Sequence, residues 1–224
     1  MGVVLLVRHG QASFGADDYD VLSETGWAQS RTTGRWLAEQ GVVPDLVLHG
    51  EMRRQRETAE AMVEAAGWAA VPAVDPGWNE FDHRAVVAAF PHAGSGLPDA
   101  REFQRLFVAA LERWVSGDHD EEAGYPETYV AFAARVSLAL ERASAAAGPG
   151  GTVLVSSSGG PISAACTLLI DPARDARDRA PAWQRLNAVI VNASATRVVV
   201  GATGPRLLTL NEHPHLAGEL ITYR

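Results

Sequence analysis

The chain has 224 residues, 47% of them hydrophobic, a formal charge of −8 and a single cysteine. That length suits one α/β unit with a substantial core, and an acidic balance without any basic run excludes a general nucleic-acid surface. The lone Cys166 excludes an intrachain disulfide and reads as a small core residue, and the absence of a signal peptide or long apolar span predicts a soluble, cytoplasmic protein with no membrane partner.

The run Val3-Val4-Leu5-Leu6-Val7 is unbroken in its apolar character, as expected of a strand buried on both faces in a parallel sheet. It breaks into Arg8, His9 and Gly10, which places polar side chains at a strand's carboxyl end, where open α/β sheets hold their ligands. A guanidinium beside an imidazole, followed by a glycine, suits an anion held close to backbone. Ser23 is a good N-cap for a helix running to Gln40 and closed by Gly41. A short strand over 45–48 ends at His49-Gly50, and a helix follows over 52–66, stopped by Gly67. A third strand is predicted over 71–74, leading through Pro76-Gly77 to Trp78-Asn79-Glu80-Phe81-Asp82.

From His83 to Tyr125 the pattern is irregular, with Pro91, Gly94, Gly96 and Pro98 before an amphipathic helix carrying Phe103, Leu106, Phe107, Ala110, Leu111 and Trp114. We read this segment as a cap over the crevice, its aromatic residues either lining it or forming a small core. A helix over 127–147 stops at Gly148-Pro149-Gly150-Gly151, and the buried strand 153–155 then opens into Ser156-Ser157-Ser158-Gly159-Gly160 and a helix with Pro161 in its first turn. Glycines and exposed N–H groups at that helix start make a second anion cradle. Strands over 188–191, 197–200 and 207–210, joined by short turns, form an antiparallel edge before a tail with His213 and His215.

Taken in order, Arg8-His9-Gly10, Leu22-Ser23-Glu24-Thr25-Gly26 with Gln29, Arg54 followed by Thr58-Ala59, Glu80 after Pro76-Gly77-Trp78, and Gly159-Gly160 resemble the histidine phosphatase superfamily, the phosphoglycerate mutase-like family. The resemblance implies one domain over 1–224 with 83–125 as a cap insertion. The implied class is α/β: a mostly parallel central sheet flanked by helices on both faces, with an antiparallel edge and a helical cap. It also implies a phosphoric monoester hydrolase of the histidine acid phosphatase type, acting on a small phosphomonoester without cofactor or metal. His9 would be the nucleophile, passing through a phosphohistidine, with Arg8 and Arg54 on the phosphoryl oxygens. Glu80, its pKa raised by burial against Trp78 or Phe81, would protonate the leaving group and then activate water, with Asp82 as understudy.

The chain departs from the family where a second histidine normally precedes the glycine pair; here that position is Ser158. Three explanations follow: catalysis with Ser158, Gly159 and backbone N–H groups on the phosphate; a vacancy filled by His213 or His215; or a phosphate-binding pseudophosphatase. A mutase is the further alternative, but the family's mutases have a Ser-x-Trp-Asn-like stretch where Ser13-Phe14-Gly15 stands here, and the cap offers few basic residues, namely Arg84, Arg101, Arg105 and Arg113. A homodimer through the edge strands is compatible with this layout.

Overall fold

The computed structural model describes residues 1–13, 20–91 and 100–223. Phe14 and Gly15 of the mutase comparison, and Gly94, Gly96 and Pro98 of the cap, lie outside the described residues. Strands β1 (Gly2–Arg8), β2 (Leu46–His49), β3 (Ala73–Val74), β4 (Thr152–Ser157), β5 (Ala195–Gly201) and β6 (Gly204–Glu212) form one sheet in the order β3-β2-β4-β1-β5-β6. The first four are parallel, while β5 runs antiparallel to β1 and β6 antiparallel to β5, which is the expected antiparallel edge.

Alternation along β1 decides which core each side chain joins. Leu5 and Val7 meet Val47, Leu154 and the helices α1 (Glu24–Glu39) and α2 (Arg53–Ala66) through Leu37, Ala59 and Met62. Val4 and Leu6 face the opposite way, toward α4 (Ala100–Ser116), α6 (Tyr129–Ala147), α7 (Gly159–Ile170) and α8 (Ala176–Asn187). Helices therefore cover both faces. Ser23 caps α1 as expected, its Oγ accepting from the Gly26 N–H at 3.1 Å. Two shorter helices, α3 (His83–Ala88) and α5 (Asp120–Ala123), complete the segment read as a cap. Cys166 is fully buried, and burial pushes its thiol up to about 12.

The cap's aromatic residues divide. Phe103 is 48% exposed, whereas Trp114 enters the main core, stacked on Phe81 at 4.7 Å with Phe132, Tyr129 and Trp183 around it. Its indole N–H donates to the Glu127 carbonyl at 2.8 Å, so this buried polar atom is satisfied. Trp114→Ala is expected to destabilise the fold by about 3–5 kcal/mol through cavity formation and loss of that bond, read as a lowered midpoint in urea unfolding.

Three elements differ from the sequence reading. The third strand is two residues long, because Val71 is 83% exposed and lacks a packed face. Residues 188–191 are not a strand: Ile190 and Val191 are buried, but the Ile190 carbonyl accepts from the Arg8 guanidinium and the Val191 N–H donates to Asn211 Oδ1, so side chains take the groups a ladder would need. Helix α8 was not anticipated, since its polar sequence contains Pro181. Asp175 caps it, and burial of Ala180 and Trp183 outweighs the one backbone bond proline removes.

Candidate active site

Helix α1 follows β1 onto one face of the sheet and α7 follows β4 onto the other, so the adjacent strand ends leave a crevice between them. The His9 N–H continues the pairing, donating to the Ser157 carbonyl at 2.8 Å. The next amide, Gly10 N–H, donates to Thr58 Oγ1 at 3.0 Å, and that hydroxyl donates to the Arg54 carbonyl at 2.8 Å. This explains the four-residue step: one helical turn lets Arg54 enter the crevice while Thr58 fixes the loop carrying His9. A Cβ on Gly10 would stand 2.4 Å from the Gly26 carbonyl oxygen, and one on Gly26 would stand 2.2 Å from that of Gln11. Glycine at both places lets α1 seat directly on the loop.

The His9 ring is buried and held at both nitrogens. Nδ1 lies 2.7 Å from the Gly10 carbonyl, which can only accept, so Nδ1 carries the proton. Nε2 therefore presents a lone pair, and it accepts from Arg54 Nε at 3.1 Å. Burial, then the charges of Arg54 and Arg8, hold the imidazole well below its usual pKa, against the Gly10 bond that favours protonation. A neutral ring whose Nε2 is unprotonated is the nucleophilic form. Arg54 is itself positioned by Asp20, at 2.5 Å from Nη1, and by the Met52 sulfur at 2.8 Å from Nη2. Arg8 donates to the Ile190 carbonyl and, at 3.1 Å, to that of Tyr223.

Glu80 stands across the crevice at the start of α7. Its Oε2 accepts from Gly160 N–H and its Oε1 from Phe81 N–H, both at 3.1 Å. Burial raises its pKa, while those two bonds and the charges of Arg54 and Arg8 pull the other way. The aromatic core supplies the geometry: Trp183 Nε1 donates to the Gly160 carbonyl at 2.9 Å, and Phe81 packs on Trp114. Asp82 is placed differently. It is exposed and caps α3, accepting from Arg84 and Ala85 N–H at 3.0 Å each.

Ser158 is the buried N-cap position of α7, and its Oγ accepts from Gln55 Nε2 at 2.8 Å. Gly159 begins that helix, where the first amides have no intrahelical acceptor. No described contact joins the tail histidines to the His9 ring. His215 stacks on Trp36 at 4.2 Å and meets Thr33 Oγ1 at 2.9 Å, with burial lowering its pKa to about 4; His213 Nδ1 bonds the Asn211 carbonyl at 2.6 Å. Three side chains escaped the sequence reading. Gln55 and Asp20 carried no signal. His83 directly follows Glu80-Phe81-Asp82, and burial followed by the Arg54 charge lowers its pKa. Among the described residues, no group of three or more His, Cys, Asp or Glu side chains is arranged to hold a metal ion, and no helix is long and apolar enough to cross a membrane.

Comparison with known proteins bears on the family and the fold. A 2,3-bisphosphoglycerate-dependent phosphoglycerate mutase from Thermobifida fusca is 35% identical over 79 residues, a match spanning 32% of each chain, so this chain aligns with about a third of that relative's length. Among solved structures, the mycobacterial glucosyl-3-phosphoglycerate phosphatase superposes with a TM-score of 0.62 at 24% identity, covering 95% of this chain and 99% of that one. A phosphoserine phosphatase variant from Entamoeba histolytica, solved with phosphoserine, gives 0.67 at 16% identity, covering 97% and 100%. At such identities these structures establish the shared fold. The profile of the Histidine phosphatase superfamily (branch 1) matches residues 4–213, nearly the whole length, and the chain belongs to that superfamily.

Proposed function

We propose that the protein hydrolyses a small phosphomonoester through a phosphohistidine on His9. The observation that carries this reading is the His9 ring, protonated at Nδ1 by its bond to Gly10, neutral, and with Nε2 facing Arg54 Nε at 3.1 Å. On substrate binding, Arg54 and Arg8 turn N–H groups to the phosphoryl oxygens, and Nε2 forms a bond to phosphorus as the ester P–O bond breaks. The alkoxide takes the proton of Glu80, whose raised pKa keeps some acid form available. Water then attacks phosphorus and gives its proton to the Glu80 carboxylate, the Nε2–P bond breaks, and phosphate leaves.

Hydrolysis is favoured over mutase chemistry by the scarcity of cations for a second phosphate. Arg84, Arg101 and Arg105 are exposed, and no described contact joins them or Arg113 to the crevice. The test is a reaction with p-nitrophenyl phosphate quenched into alkali, where phosphohistidine survives, followed by peptide mapping. Label on the His9 peptide together with released phosphate is expected. Isomerisation of phosphoglycerate without phosphate release would overturn the hydrolase reading, and turnover with no label on His9 would overturn the covalent route.

A further inference from the structure

Two unfavourable features meet where the superfamily's second histidine is absent. Ser158 occupies the N-cap of α7 yet makes no capping bond, although serine at that position ordinarily accepts from an amide of the first turn. Gln55, wholly buried, has an Oε1 that meets no donor among the described residues. A buried amide oxygen without a partner calls for a physical reason.

The reason lies in the other end of the amide. Gln55 Nε2 donates one hydrogen to the Trp78 carbonyl at 3.2 Å and the other to Ser158 Oγ at 2.8 Å. The carbonyl fixes the orientation, because a flipped amide would set Oε1 against the Trp78 oxygen, which also accepts from Ser157 Oγ at 2.8 Å. Ser158 is thereby compelled to accept from Gln55, and its own O–H has no described protein acceptor. Ser158 directly follows Ser157, whose carbonyl holds the His9 N–H. Gly50 makes room: a Cβ there would stand 2.1 Å from Gln55 Oε1 and 2.7 Å from Asn79 Oδ1.

We propose that Gln55 is a positioning residue that locks the Ser158 hydroxyl as a hydrogen-bond donor to a phosphoryl oxygen, replacing the contact a second histidine would make. This rests on the phosphatase reading of the crevice, with Gln55 acting through Ser158 and touching no substrate. The histidine replaced would be a charged donor, whereas the Gln55–Ser158 pair is a neutral donor of fixed direction.

A double-mutant cycle tests the pair, read both as kcat and KM for p-nitrophenyl phosphate and as calorimetric binding of inorganic phosphate. Ser158→Ala is expected to weaken phosphate binding about tenfold. Gln55→Leu should weaken it several-fold, and in the Ser158→Ala background should change it less than about twofold, since the effect travels through the hydroxyl. Gln55→Glu reverses the bond, drawing the Ser158 O–H to a carboxylate, and should cost as much as Ser158→Ala. Gly50→Ala, which displaces Oε1 from outside the pair, supplies the same cycle if the Gln55 variants do not fold. Additive losses, or unchanged phosphate binding in Ser158→Ala or Gln55→Glu, overturn the proposal. The phosphate titration keeps the cycle readable if His9 is never phosphorylated, and a labelled His9 with an additive cycle removes this inference alone.

Discussion

His9→Ala is expected to lower turnover of p-nitrophenyl phosphate by on the order of 10⁴-fold or more while changing inorganic phosphate affinity only several-fold. The split follows from the division of labour in the crevice. In the proposed reaction, loss of the ring removes the atom that attacks phosphorus, leaving direct attack by water. The groups proposed to hold phosphate are anchored elsewhere: Arg54 to Asp20 and Arg8 to the Ile190 and Tyr223 carbonyls. Residual catalysis comes from electrostatic positioning, which persists when a nucleophile is deleted. A variant keeping a tenth of the activity would show that His9 is not the attacking group.

The same ring gives a pH signature. Its folded pKa lies well below 6.5, so the neutral, nucleophilic form persists as pH falls through that value, and the acid limb of kcat/KM attributable to His9 should lie below pH 6.5. Stability follows linkage with the opposite consequence. Below pH 6.5 the unfolded chain binds a proton at this position that the folded chain refuses, so acidification through that window costs stability, and His9→Ala removes that part of the acid sensitivity. Urea midpoints of the two proteins measured from neutral pH downward read the difference.

What the sequence revealed and what it hid follow from the range of the interactions. The β1 run, the Ser23 cap and the glycine stop after α2 are set by neighbours within a few residues, and each element ends within a residue or two of where those signals place it. The Arg54–Thr58 step was legible because a helical turn is a local ruler. Gln55 was not, although it adjoins Arg54: in the polar run Arg53 to Glu57 nothing distinguishes it from a solvated side chain until β4 brings Ser158 across. The 188–191 run misleads for a related reason, since its apolar side chains are indeed buried but its backbone partners come from Arg8 and Asn211, 182 and 20 residues away in sequence. His215 likewise answers to Trp36, a residue far from it in sequence.

Glu80→Gln is expected to separate the two chemical steps and to remove a pH-dependent cost to stability while it does so. An alkyl phosphate such as glycerol phosphate releases a strongly basic alkoxide and needs the proton, so its turnover should fall about 10²- to 10⁴-fold. The nitrophenolate of p-nitrophenyl phosphate is a weak base that departs unprotonated, and His9 should still be phosphorylated by it. Water attack then lacks its base, so a burst of one nitrophenolate per enzyme should precede a slow steady state, with phosphohistidine accumulating. Equal losses on both esters without a burst would remove Glu80 from the proton transfers. On stability, burial raises the folded pKa of Glu80 despite the bonds from Gly160 and Phe81 and the two arginine charges. A raised carboxyl contributes stability below its unfolded pKa, and that contribution is lost as pH rises through the folded value. At pH 8 the native protein therefore holds a carboxylate that solvent would hold better, and the neutral amide removes that charge, its Oε1 accepting from one of the Gly160 and Phe81 amides while its Nε2 meets the other donor. The unfolding midpoint of Glu80→Gln, taken relative to that of the native chain, should rise from pH 4.5, the unperturbed carboxyl value, to pH 8. A group that costs stability once ionised and is nonetheless held by two backbone amides and an aromatic core fits the proton-transfer role proposed for Glu80.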